Sequence, residues 1–248
     1  MGNLFLRDAQ AGLSRFGAEQ TTAPASYDRI NAMVSEETLK ELRAEYERVK
    51  EPITAQLGEF KKTSENADDE KIFEELAFCI LTSAVGPKVG LRSIAAIKDI
   101  LRDGSAGEMA ERLEGIHKYP EKAGFIAHTR DYLEKEYGFK LGELIRSFDD
   151  RKALRDFFAL NKDIKGLGYT QASHFLRNIG YTDYAILDKN VARMLHEIGV
   201  TDSEKPPSTG KKYVEAEEKM KALSDELGLS LVELDMLLWS FKTGRIPV

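Results

Sequence analysis

The chain has 248 residues, 42% hydrophobic and 31% charged, with a net charge of −6. That is enough material for a sizeable core, and it excludes a protein that coats nucleic acid by charge alone. Its single cysteine, Cys79, excludes a disulfide scaffold or a cysteine-ligated cluster built within the chain, and its four histidines show no ligand spacing, so neither a metal nor a cofactor is expected. The first residues carry early charges and no continuous apolar core, so an intracellular, cytoplasmic protein with no membrane contact is expected.

In chain order, residues 1–45 read as an N-terminal extension with a linker near Gln20–Ser26. Leu39, Leu42, Tyr46 and Val49 predict an amphipathic helix broken by Pro52, with a shorter helical piece and a polar loop after it. Asp69 opens the most apolar helix, expected to be central and to end at Gly86-Pro87. The loop from Thr82 to Gly90, with Val85 in it, is a candidate site wall. Helices are predicted over Leu91–Leu101, Met109–Gly115, Lys122–Tyr137 and Leu141–Phe148. Beyond a loop at Thr201–Gly210, a charged helix should span Tyr213–Leu227 with Gly228 after it. Ser230 and Glu233 form a capping-box pattern that opens a last helix over Leu231–Phe241. No strand of length emerges, so the fold class is all-α.

Between these lies a helix, hairpin, helix unit, about residues 151–180. Apolar residues recur at helical spacing on both sides of Lys165-Gly166-Leu167-Gly168-Tyr169. The two glycines are expected to take positive φ and expose main-chain N–H groups at the second helix's start, an anion site suited to a backbone phosphate. An ordinary interhelical turn would use the same glycines. Residues 151–200 hold eight Lys/Arg against five Asp/Glu, a local positive excess on an acidic chain.

Three collinear blocks resemble the helix-hairpin-helix-GPD DNA glycosylases, most nearly the archaeal-type 8-oxoguanine DNA glycosylase/lyases. They are Phe73–Ala84, then Gly166-Leu167-Gly168-Tyr169 with Ala172–Asn178 and Ala185–Asp188, and then Leu234–Trp239. The resemblance implies two helical lobes around a DNA cleft, with residues 46–72 plus 185–248 forming one lobe and 73–184 the other. It implies a monomer that acts on duplex DNA and extrudes a damaged purine, 8-oxoguanine first among candidates, because the glycosidic carbon is unreachable inside the stack. It also implies a monovalent cation on the hairpin carbonyls. Asp188 falls on the aspartate that steadies charge developing on the sugar. Trp239 falls on the aromatic that stacks on the extruded base, although plain core packing would also account for it. Asp235, one turn earlier, could bond a purine edge, and Val85 joins them as a pocket candidate.

The chain departs from the family at Thr170, where the bifunctional members carry the lysine that attacks the sugar. Threonine cannot form a Schiff base, and its natural role there is as a helix cap. Lys165 and Lys189 lie nearby as substitutes. The expected activity is therefore a glycosylase that uses water, without lyase action. A catalytically silent hairpin protein that only binds DNA, or an inactive lysine-lacking form, stays open as the alternative.

Overall fold

The computed structural model describes residues 34–66 and 68–246; the expected linker near Gln20–Ser26 and the last two residues lie outside them. The described residues form eleven α-helices and no strand. In chain order these are α1 (Glu36–Asn66), α2 (Asp69–Thr82), α3 (Pro87–Ile97), α4 (Ala106–Leu113), α5 (Lys122–Tyr137), α6 (Leu141–Arg146), α7 (Arg151–Leu160), α8 (Tyr169–Asn178), α9 (Lys189–Glu197), α10 (Gly210–Leu227) and α11 (Leu231–Thr243).

Their apolar faces gather into two clusters. The first runs from Ile72 to Tyr184 and is centred on α2, whose Leu76, Ala77, Cys79, Ile80 and Leu81 have no solvent exposure. A helix apolar on several sides must be surrounded, and α3, α5, α6 and α8 pack around this one. The second cluster joins Val34–Phe60 to Ala185–Leu238, so the two ends of the described chain close on each other through α1, α9, α10 and α11.

Two predicted breaks are corrected. Pro52 does not end a helix: α1 runs through it for 31 residues, to Asn66, and takes in the first part of the polar loop expected from Lys61 to Asp69. Proline removes one backbone bond and costs about 3 kcal/mol in a helix interior. Leu39, Leu42, Ile53 and Phe60 are all buried along one stripe that crosses it, and each contributes about 1.5–3 kcal/mol. The stripe therefore wins, and residue 45 lies mid-helix. At Gly86-Pro87, by contrast, a helix begins. α2 has already stopped at Thr82, and Pro87 occupies the first turn of α3, where its missing N–H costs nothing. The helix expected over Leu91–Leu101 is thus shifted upstream, with a 3-10 turn at Lys98–Ile100 after it. The capping box at Ser230 and Glu233 is formed, and Gly228 takes the left-handed conformation at φ 70°.

Candidate active site

The hairpin is built from its flanks inward. Asp150 caps α7 by accepting from the Lys152 and Ala153 N–H groups. At the far end Asn161 turns the chain, its side chain accepting from Asp163 N–H at 2.9 Å. Lys165 N–H donates to Thr129 Oγ1 on α5 at 2.9 Å, which fixes the hairpin against the first cluster. Gly166 has φ 80°, and a Cβ there would meet Ile80 and the Phe125 ring at 3.1 Å. Leu167 is buried and anchors the loop.

Gly168 differs from expectation. Its φ is −114° and ψ −170°, extended backbone open to any residue, so only the first of the two glycines takes positive φ. Gly168 is the N-cap of α8, and no side chain caps that helix. Thr170, expected as its cap, lies inside the first turn instead, half-buried. The start of α8 therefore presents uncapped amides beside an exposed glycine, the arrangement that accepts an anion.

Asp188 caps α9. Its Oδ1 accepts from Asn190 N–H at 2.8 Å and Val191 N–H at 2.9 Å. Burial pushes its carboxyl above the ordinary value, while the two amides, the Trp239 side chain and the Arg177 charge pull it back down. Trp239, half-buried on α11, is thus beside the carboxylate and also packs on the second cluster. One turn earlier Asp235 is 2% exposed and ion-paired to Arg177, Oδ2 to Nη1 3.5 Å. Burial raises its carboxyl to about 7 despite Arg177, and the Ile186 N–H also favours its ionised form.

The end of α2, which leads into the Val85 turn, reaches the hairpin helix. Thr82 Oγ1 donates to Gln171 Oε1 at 3.4 Å, which brings the end of α2 alongside the residue after Thr170. Lys122 Nζ donates to the carbonyls of Ile80 and Ser83, at 2.8 and 2.5 Å, and so closes the C-terminal end of α2. Val85 itself is half-exposed, in a turn where Ala84 takes φ 71°. Of the two lysines near the site, Lys189 is exposed at the start of α9 and Lys165 is half-buried in the hairpin.

Several polar residues of this region escape a reading of the sequence. Arg177 lies among core positions of α8, and Arg155 lies between Leu154 and Phe157 on α7; both are 2% exposed. A charge inside an apolar stripe is the available signal, but its partners, Asp235 and Glu217, are 58 and 62 residues away. No group of side chains among the described residues has metal-ligand geometry, and none of their helices is long and apolar enough to cross a membrane.

Residues 53–229 match the family profile described as 8-oxoguanine DNA glycosylase. An 8-oxoguanine DNA glycosylase/AP lyase of Korarchaeum cryptofilum is 36% identical over 208 residues, covering 83% of this chain and 94% of the relative. The solved structure of the Methanocaldococcus jannaschii 8-oxoguanine glycosylase/lyase, in complex with a 15mer DNA containing 8-oxoguanine, superposes with a TM-score of 0.75. It is 32% identical, and the match covers 84% of this chain and 100% of that one. The 8-oxoguanine DNA glycosylase of Thermotoga maritima superposes at 0.76 with 33% identity, over 86% and 99% of the two chains.

Proposed function

Because the chain belongs to the 8-oxoguanine DNA glycosylase family, we propose that it excises 8-oxoguanine from duplex DNA with water as the nucleophile. The observation that carries this reading is the pairing of an uncapped α8 start at Gly168 with a half-buried, amide-held carboxylate at Asp188. The first suits a backbone phosphate, and the second suits positive charge on a sugar.

The duplex is gripped at Lys165–Tyr169, and the damaged nucleotide is extruded toward Trp239 and Val85. The two apolar clusters act as the two lobes, with the chain working as a monomer. The carbonyls of Lys165, Gly166 and Leu167 accept no hydrogen bond from the described residues, so they suit a monovalent cation beside the phosphate.

As the bond between the sugar carbon and the base nitrogen breaks, its electron pair leaves with the base, which takes up a proton. The oxocarbenium-like sugar faces the Asp188 carboxylate, whose negative charge lowers its energy. Water then adds to the sugar carbon and yields its proton to Asp188. With Thr170 at the lysine position, no amine stands ready to displace the base, and the product is an intact abasic site.

Incubating the protein with duplexes that carry different lesions, followed by alkali, tests the reading. Release of 8-oxoguanine with strand cleavage only after alkali supports it. Measurable DNA affinity with no base release from any lesion favours the silent binder, the reading motivated by Thr170.

A further inference from the structure

Between the hairpin and Asp188 lies a buried polar cluster that no step above uses. Arg155, on α7, makes two bonds to Glu217 on α10, Nη1 to Oε1 at 2.5 Å and Nη2 to Oε2 at 2.7 Å. The rings of Tyr169, Tyr184 and Tyr213 each stand 5.3 Å from its guanidinium carbon. A guanidinium this deep is retained only with a fixed partner and an aromatic surround.

Two of these residues hold the chain that delivers Asp188. Glu217 Oε1 also accepts from Ala185 N–H at 3.0 Å. The Tyr213 hydroxyl donates to Ala185 O at 2.7 Å and accepts from Leu187 N–H at 3.1 Å. Residues 185–187 belong to no helix, so side chains provide the bonds that a helix would otherwise supply. Asp188 follows immediately.

The cluster also reaches the hairpin. Tyr169, next after Gly168, packs on Tyr213 with ring centroids 5.4 Å apart, and its hydroxyl donates to Asp156 at 2.6 Å. Gly210 presses on the same ring, since a Cβ there would come within 2.6 Å of it.

We propose that Tyr213, Glu217 and Arg155 are positioning residues that tie the hairpin's grip on the DNA backbone to the placement of the Asp188 carboxylate. The inference rests on the glycosylase reading. The Tyr213 hydroxyl bonds the Asp188 segment, whereas Arg155 faces the Tyr169 ring of the hairpin and reaches Ala185 through Glu217. The two should therefore separate rate from affinity.

Tyr213→Phe keeps the ring and removes both bonds to residues 185–187. Single-turnover release of 8-oxoguanine should slow by about tenfold to a hundredfold, the scale of a 1 Å misplacement. Affinity for a duplex carrying a tetrahydrofuran abasic analogue should stay within about twofold. Arg155→Lys should lower both, because the Tyr169 ring loses the guanidinium beside it and Glu217 loses its two-bond partner. Wild-type release by Tyr213→Phe would overturn the proposal, and so would rate and affinity falling together with the thermal midpoint. If Tyr213→Phe does not fold, Glu217→Gln, which leaves Arg155 without its counter-charge, must lower rate and affinity together as Arg155→Lys does, and an unchanged rate overturns the proposal. If wild-type protein itself releases no base, the glycosylase reading has failed, and a second readout applies. Trp239 is the only tryptophan and lies beside Asp188. The pH inflection of its emission should move in Tyr213→Phe, and an unmoved inflection overturns the positioning role.

Discussion

Arg177 and Asp235 meet at 3.5 Å, one on α8 and the other on α11, with both side chains almost wholly removed from water. Burial opposes both charges: it lowers the Arg177 pKa and raises that of Asp235 from 3.8 to about 7. Removing one member of such a pair leaves the other as an uncompensated buried charge.

The sign of the resulting pH dependence follows from that direction. A carboxyl whose folded pKa is raised favours the folded state most below its unfolded value, and that contribution is lost as pH rises to the folded value. The stability of the wild type relative to Asp235→Asn should therefore decline between about pH 4 and pH 7 and level off above it. Urea titrations of the two proteins at half-unit pH steps measure this difference. A flat difference would show that Asp235 is ionised throughout.

The two hairpin glycines should answer differently. Gly166→Ala meets positive φ and two neighbours at 3.1 Å, so it should lower stability by about 1–3 kcal/mol with no DNA present. Gly168→Ala meets nothing within 4 Å and ordinary backbone angles, and should leave stability within about 0.5 kcal/mol. Its Cβ would instead obstruct an approaching phosphate, so affinity should fall on every sequence alike. Melting curves and filter binding on two unrelated duplexes separate these effects. Full affinity in Gly168→Ala would take the hairpin out of the interface.

Trp239 carries two separable contributions, a ring face and an indole N–H beside Asp188. Trp239→Phe keeps most of the face and should retain lesion affinity. With the indole's pull on Asp188 gone, the acid limb of its pH–rate profile should move to higher pH. Trp239→Ala should also lose lesion preference by about 1–3 kcal/mol, the usual range for base stacking. If Phe and Ala variants lose stability equally and keep lesion preference, the ring serves packing alone.

Asp188→Asn should reduce base release by about a hundredfold or more while sparing DNA affinity. On the proposed reading, Thr170 supplies no amine to the sugar. Borohydride added during turnover should trap no adduct with the wild type, and Thr170→Lys should trap one. An adduct with the wild type would point to Lys165 or Lys189. A lesion-binding Thr170→Lys variant that traps nothing would remove residue 170 from the sugar.

What the sequence made legible was local. The helix on each side of the hairpin and the capping box at Ser230 and Glu233 follow from spacings of a few residues. What it hid was long-range or conformational. Pro52 looked like a break because its cost is local, whereas the contacts that outweigh it come from α11. Gly168 looked like a positive-φ position because glycine permits one, but permission is not requirement. The pairing of Asp235 with Arg177 was hidden because nothing nearby in the chain announces the partner, and the ties of Tyr213 and Glu217 to residues 185–187 were invisible for the same reason.

The division of the two clusters also sets an order of events during synthesis. The first is drawn from one unbroken stretch, Ile72 to Tyr184, and all its members are available once that stretch has left the ribosome. The second cannot close then, because α1 must wait for partners as late as Leu238. Closing a loop that long is slow, and domains form as their residues emerge. The early chain therefore holds α1 with its stripe of Leu39, Leu42, Ile53 and Phe60 facing no partner from its own cluster, while the hairpin is already built. Nascent chains halted once Tyr184 has cleared the ribosome should resist proteolysis across α2–α8 and be cut within α1. Acquisition of Asp188 and closure of α1 are then the same late step, so the protein gains its carboxylate only as it finishes folding.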